Sequence, residues 1–278
     1  MRGDYCKQKL RRAFGHCPRF FCIYCIMLIG VTDSGIGGLT TLEKIIRSRG
    51  GGDYLYLADG AHCPYGEKSA EQIREIMREN VSLLAAAGAK CVVLACNTAT
   101  ACAIDALRAE FAKITFIGTE PCIKTAEIYG KRLLLLATPL TLGQPRFSRL
   151  LAGTDCALPD CSRLAGEIER GFPSMTEAKK LLLKILAPFR NERFDAAVLG
   201  CTHYVLLKDY IFKLLRCPVL DGSGGVARRA RKLCGAETGE ARVNVICNRE
   251  DAFRTVRAAA EYIIGKNPLF SAKLDYSL

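Results

Sequence analysis

Apolar residues along this chain gather in short runs that alternate with stretches of helical spacing. Eight runs read as strands: 28–32, 54–58, 91–95, 114–118, 132–137, 196–200, 218–221 and 243–247. They are rich in Val, Ile and Leu, and several are apolar throughout rather than alternating. Strands covered on both faces have that composition, which predicts parallel sheets with helices on either side. The segment 69–88 is the clearest helix. It opens with Ser69-Ala-Glu-Gln72, a capping box in which serine and glutamine side chains satisfy backbone N–H groups of the first turn. Ile73, Ile76, Met77, Val81, Leu84 and Ala85 then share a face, and Gly88 is a natural stop. The β-α alternation predicts an α/β fold.

One pattern occurs twice. Cys91-Val-Val-Leu-Ala-Cys96-Asn-Thr resembles Ala196-Ala-Val-Leu-Gly-Cys201-Thr-His. Each is a buried strand that delivers a cysteine, then a polar pair, then a helical pattern. Ligands of open α/β sheets bind beyond the carboxyl ends of strands. The repetition therefore predicts two similar lobes, each a mainly parallel sheet flanked by helices, that present one thiol apiece to a shared cleft.

Composition narrows the picture. The chain has 278 residues, half of them hydrophobic, enough for one large core or two modest ones. Its longest apolar stretch, 20–31, is broken by Gly30. A spanning helix needs about 18 residues or more, so no membrane span is expected. The net charge of +12 favours a polyanionic partner. Against that, tryptophan is absent, and no aromatic platform for single-stranded nucleic acid is visible. Fifteen cysteines are scattered without the spacing of a disulfide framework. Cys91, Cys217 and Cys247 lie inside apolar runs and read as small buried hydrophobes. A reducing compartment, the cytoplasm, is the expected location.

Residues 1–26 differ from the rest. Arg2, Lys7, Lys9, Arg11, Arg12 and Arg19 face only Asp4, and no clean period is present. A second start is available at Met27, immediately before the first strand. A signal peptide does not fit, because no small-residue cleavage site follows the apolar run. A zinc site from Cys6, Cys17, Cys22, Cys25 and His16 fits poorly. Only Cys22-x-x-Cys25 has ligand spacing, and no second pair follows. The segment reads as a disordered or non-native leader outside the fold, and no metal is expected.

Four segments carry candidate chemistry. Asp33-Ser-Gly-Ile-Gly-Gly38 follows the first strand, and a helix starting near Gly38 would aim free N–H groups at an anion. It is neither a Walker loop nor a complete dinucleotide fingerprint. It reads as a carboxylate cradle with Asp33 at its mouth, or more plainly as a βα turn. In the loop Asp59-Gly-Ala-His62-Cys-Pro-Tyr-Gly66, Tyr65 offers a phenol and Gly66 a backbone N–H. The plain alternative is a Pro-Gly turn with a solvated His62. Cys96-Asn97-Thr98 and Cys201-Thr202-His203 are the strongest signals. A thiol at a strand end beside a helix N-terminus gains thiolate character. Asn97, Thr98 and Thr202 are donors for a carboxylate, and His203 is close enough to Cys201 to shuttle a proton. Two facing thiols suit acid–base work on opposite sides of one carbon. Glu169, with Glu167 as a competitor, reads from helix position alone as a solvated surface acid.

Asp-Ser-Gly-Ile-Gly-Gly, Pro-Tyr-Gly, Ala-Cys-Asn-Thr-Ala, Gly-Thr-Glu-Pro and Gly-Cys-Thr-His-Tyr occur in the order found in glutamate racemases. The chain resembles that family from Met27 to about residue 265. Gly-Cys-Thr-His is the discriminating motif, since the similar aspartate racemases typically carry Glu where His203 stands. The resemblance implies a cofactor-independent amino-acid racemase of two α/β lobes with its active site in the cleft between them. It divides the chain into a first lobe, 27–122 with 223–278, and a second, 123–222. It implies that Cys96 removes the α-proton of D-glutamate, that Cys201 serves L-glutamate, and that Asp33 and His203 assist the two thiols. Ser34, Tyr65, Gly66, Asn97, Thr98 and Thr202 correspond to substrate contacts. Glu169 falls where the family places a further acid, although Ser162 replaces a usual proline. Thr138 and Thr141 match loosely, and Val205 stands where proline is common.

The expected function is therefore racemisation of glutamate by two cysteines, supplying D-glutamate for peptidoglycan. Glutamate is the expected small-molecule partner, with no nucleic acid and no membrane; the resemblance leaves a homodimer open. The alternatives are a racemase for aspartate or another small amino acid, a thiol amidohydrolase, and a basic nucleic-acid-binding module. A steep salt dependence of binding would mark the last.

Overall fold

The computed structural model describes residues 27–265, 267 and 272–277. The expected leader and its cysteines lie outside them. The described strands are β1 (Ile29–Asp33), β2 (Gly50–Ala58), β3 (Cys91–Leu94), β4 (Thr115–Gly118), β5 (Arg132–Ala137), β6 (Asp155–Ala157), β7 (Ala196–Gly200), β8 (Val219–Asp221), β9 (Glu237–Cys247) and β10 (Ala272–Ser277). They form a six-stranded sheet of order β10-β9-β2-β1-β3-β4 and a four-stranded sheet of order β6-β5-β7-β8. Every pairing is parallel. The chain completes four strands of the first sheet, builds the second, then returns with β9 and β10.

Both faces of both sheets are buried, as the apolar strands predict. On one face of the first sheet Ile29, Val31, Tyr54, Tyr56, Cys91 and Val93 pack against the helices Gly38–Arg49, Ser223–Cys234 and Glu250–Ala260. On the other, Leu55, Leu57, Val92 and Leu94 meet Ala70–Ala86 and Asn97–Glu110. The second sheet repeats the scheme. Leu134, Leu136, Ala197 and Leu199 face the helices Leu164–Gly171 and Thr176–Leu186, while Leu133, Leu135, Ala196 and Val198 face Ile123 and Phe147. Each buried Leu or Val contributes about 1.5–3 kcal/mol relative to exposure, so these layers hold the strand ends in place. Cys91, Cys217 and Cys247 are buried among them, as their apolar settings predict.

The helix Ala70–Ala86 starts where expected. Ser69 accepts from the Gln72 N–H at 3.2 Å, and Gln72 accepts from the Ser69 N–H at 2.9 Å. Two strands escape the sequence reading. β6 has three residues, and β10 (Ala-Lys-Leu-Asp-Tyr-Ser) mixes charge into an edge position. β2 and β9 also begin earlier than their apolar runs do. Their extensions, Gly50–Gly52 and Glu237–Ala241, pair with each other across a register shift. Glycines and charged residues form them, so hydrophobic pattern gives no signal.

Candidate active site

Strand order brings the candidate residues together. Asp33 closes β1, Cys96 lies just past β3, Thr138 follows β5 and Cys201 follows β7. All four stand at carboxyl ends of parallel strands, two on each sheet, the position at which open α/β sheets bind ligands. Cys96 is 6% exposed and Cys201 7%, so both thiols are nearly shielded from water.

The two sheets meet at Asp33. Its Oδ1 accepts from the Gly35 N–H at 3.0 Å, and its Oδ2 accepts from the Thr202 hydroxyl at 3.0 Å. The approach is close enough to require glycine: a Cβ at Gly37 would lie 2.6 Å from the His203 backbone nitrogen and 2.7 Å from Thr202 Oγ1. The sequence predicts that the Asp33–Gly38 turn cradles a carboxylate of the ligand. Here the turn holds the protein's own Glu169, to whose Oε2 the Ile36 N–H donates at 3.0 Å. The same oxygen lies 2.7 Å from His203 Nε2. Glu169 is thus not the solvated surface acid that its helix position implies, because the turn and His203 close over it. Its competitor Glu167 does stay near the surface, paired with Arg163 and Arg170.

Proton affinities follow from these contacts. Burial pulls the His203 imidazole down, but Cys201, Cys63 and Glu169 outweigh it and hold the ring well above its usual range. These contacts thus favour the protonated form of His203, whose Nε2 faces Glu169 Oε2. The other ring nitrogen, Nδ1, is 3.9 Å from Cys201 Sγ. Burial raises the Asp33 carboxyl, opposed by His203 and by the donors Gly35 and Thr202. Cys96 departs from the sequence reading. It does cap the helix Asn97–Glu110, yet its thiol is pushed well above the usual range by burial and by Asp33. The Ala99 N–H pulls the other way, and a charge on Cys201 adds to the push. Removal from water costs a thiolate more than one helix terminus returns. That Cys96 responds to Cys201, Asp33 and His203 puts both thiols in one electrostatic environment.

Hydroxyl and amide groups surround them. Thr98, Thr138 and Thr141 form a triangle of hydroxyls 2.9–3.1 Å apart, with Thr98 from one sheet and the others from the second. Asn97 Nδ2 reaches the Thr119 carbonyl at 3.4 Å, and Ser34 is buried in the turn after Asp33. Tyr65 is turned inward. Its hydroxyl donates to Asp59 at 2.7 Å and accepts from Asn80 at 3.2 Å. The phenol expected at the site is therefore committed to a buried network, and the Tyr65-Gly66 segment offers backbone instead. Gly66 packs against Thr138, across the junction of the sheets. His62 is fixed to Asp59 at 2.8 Å rather than free.

With this geometry in view, the kinship is decisive. The family model for Asp/Glu/hydantoin racemase matches residues 26–230. The chain belongs to the Asp/Glu/hydantoin racemase family. It is 38% identical over 216 residues to the glutamate racemase of Pseudomonas aeruginosa, covering 75% of this chain and 82% of that one. To the glutamate racemase of Clostridium botulinum it is 34% identical over 212 residues, covering 73% and 82%. Among solved structures, Escherichia coli glutamate racemase in complex with L-glutamate and an activator superposes with a TM-score of 0.76 at 25% identity, covering 91% of this chain and 98% of that chain. A glutamate racemase isoform from Bacillus anthracis superposes with a TM-score of 0.74 at 26% identity, covering 89% and 97%. The protein is accordingly a racemase of two α/β lobes. Among the described residues no helix is long and apolar enough to cross a membrane.

Two features were invisible in the sequence. Asp59 is a hub, fully buried, that also accepts from Asn248 at the end of the neighbouring strand β9. Cys63 sits beside His203 and Glu169, and burial raises its thiol while His203 draws it down. No spacing rule links these positions, because three separate elements deliver them.

Proposed function

We propose that the protein interconverts L- and D-glutamate, with Cys96 and Cys201 as the two acid–base groups on opposite faces of Cα. The observation that carries this reading is the Thr202–Asp33 hydrogen bond, which ties the strand end bearing Cys201 to the one beside Cys96. In one direction Cys96, as thiolate, takes the α-proton of D-glutamate while the Cys201 thiol delivers its proton to the other face. The product is L-glutamate, and the two sulfurs have exchanged states. The reverse direction starts from Cys201. Asp33 assists Cys96 and His203 assists Cys201, with Glu169 orienting His203 through the 2.7 Å contact.

An amino-acid α-proton is weakly acidic, so the carbanion-like transition state needs fixed donors on the α-carboxylate. Ser34, Asn97, Thr98 and the backbone of Tyr65 and Gly66 supply them in this reading, with Thr202, whose hydroxyl donates to Asp33, lining the same site. Removing one such preorganised donor costs a rate factor of about 10²–10³. The burial that keeps Cys96 protonated also defines what substrate must bring: its ammonium, a positive charge entering the pocket, offsets the push on that thiol. The chemistry is self-contained and needs no added cofactor.

The same reading divides the chain into lobes 27–122 with 223–278 and 123–222. It places the enzyme in the cytoplasm as a homodimer supplying D-glutamate for peptidoglycan; sedimentation of the purified protein tests the dimer. Circular dichroism of L-glutamate and L-aspartate, each incubated with the protein alone, tests the reaction. Loss of optical activity for glutamate is expected. Loss for aspartate only would overturn the substrate assignment, and loss for neither would overturn the reaction.

A further inference from the structure

We propose that Cys63, Glu169 and His203 form a binding site for a thiophilic divalent cation, Zn2+ being the ion that fits. A sulfur of Cys63, a carboxylate oxygen of Glu169 and a ring nitrogen of His203 lie within 4.8 Å of one another. They come from the loop after β2, the helix Leu164–Gly171 and the turn after β7. One sulfur, one imidazole and one carboxylate make up the mixed donor set zinc takes, whereas Mg2+ and Ca2+ prefer oxygen throughout.

One further observation points to a cation. Glu169 uses Oε2 for both of its hydrogen bonds, to the Ile36 N–H and to His203. Its other oxygen, Oε1, is buried with no hydrogen-bond partner. A buried carboxylate oxygen left without a donor is costly, and a bound cation would satisfy it. Zinc bonds of about 2.0–2.3 Å in a tetrahedron set ligands about 3.5 Å apart, so closing the site takes side-chain rotation and no rebuilding of the backbone. On binding, the protons of the Cys63 thiol and of the coordinating ring nitrogen leave to solvent.

Binding stands on geometry alone. Its consequence rests on the proposed racemase chemistry: an ion held by Cys63, His203 and Glu169 removes the His203–Glu169 pair from its assistance to Cys201, so Zn2+ inhibits. Cys63 is the one ligand to which the reaction assigns no task, which makes it the point of test. The full chain, stripped with chelator, is titrated with Co2+ as a spectroscopic stand-in. A thiolate-to-cobalt absorption is expected, and Cys63→Ala should bind one tight equivalent fewer than the wild type. Cys63→Ser keeps the side chain's size and should lose the same equivalent. In the glutamate assay, with each protein referred to its own metal-free rate, the Zn2+ concentration for half-inhibition should rise at least about tenfold in both variants. Equal cobalt stoichiometry in wild type and both variants would overturn the site. A cobalt difference in a protein that fails to racemise glutamate would sustain the site and sink the functional reading instead.

Discussion

The segments ending in Cys96 and Cys201 are near copies in sequence, yet their sulfurs face different chemistry. Both follow a buried parallel strand and both are almost shielded from water. After Cys96 an α-helix begins at once, and the charged neighbour that acts most on its thiol is the Asp33 carboxyl. After Cys201 the backbone makes a 3₁₀ turn, His203–Leu207, before the helix Lys208–Leu215. That turn swings His203 back so that Nδ1 faces Cys201, with Glu169 behind it. One thiol sits by an acid and the other by an imidazole. Local sequence carries each sulfur to a strand end; residues from elsewhere in the chain decide what surrounds it.

The largest effect should come from erasing either member of the pair. Cys96→Ser and Cys201→Ser are each expected to lower steady-state racemisation by a factor of about 10²–10⁴. Each should retain α-proton exchange with one enantiomer only, read by NMR in deuterated water. Full racemisation in either variant would break the two-thiol comparison.

Next come the assisting groups. His203→Gln should cost about 10²-fold, the lower range for general acid–base assistance. Because the two enantiomers are equally stable, kcat/KM must fall equally in both directions. The difference between the two sites should appear in single-turnover exchange instead: that from L-glutamate suffers more in His203→Gln, and that from D-glutamate suffers more in Asp33→Asn. Equal losses in the two variants would erase the proposed division of labour.

Asp33→Asn carries a second, smaller signature. Burial puts the folded-state pKa of Asp33 above its ordinary 3.8, so the protonated form favours folding and the ionised form opposes it. The stabilising contribution is complete below about pH 4 and is lost as pH rises through the raised value. The variant cannot ionise. Its Tm relative to wild type should therefore climb between acid and neutral pH, even as activity disappears. A difference that stays flat across that range would contradict the burial argument.

The smallest effects concern the anchors behind each thiol. Thr100 donates to the Leu94 carbonyl at 3.2 Å and accepts from the Thr119 N–H at 3.0 Å, pinning the helix after Cys96. Tyr204 donates to the Cys161 carbonyl at 2.9 Å, pinning the turn after Cys201. Thr100→Val and Tyr204→Phe should each cost about 0.5–1.5 kcal/mol in urea unfolding, the net worth of a buried hydrogen bond, because Thr119 N–H, the Leu94 carbonyl and the Cys161 carbonyl each keep another partner. They lie on different sheets, so the costs should add.

Much of this was legible in one dimension. Continuous Val, Ile and Leu runs betray parallel strands buried on both faces, and Ser69 with Gln72 marks a helix start that the hydrogen bonds reproduce. The repeated strand–cysteine pattern placed both thiols at carboxyl ends. What stayed hidden was decided by distant partners. The orientation of Glu169 depends on Ile36 and His203, and that of Tyr65 on Asp59 and Asn80. The raised Cys96 thiol reflects burial, which no local rule conveys. β10 was missed because an edge strand carries charge in place of a continuous apolar run.

The most direct measurement is the fate of the α-hydrogen when either enantiomer of glutamate is incubated briefly with the wild-type protein in deuterated water. With a separate sulfur on each face, product acquires solvent deuterium while recovered starting enantiomer stays almost unlabelled at early times. Matching deuterium content in both pools from the first time points would mean that one group services both faces, and would contradict the account.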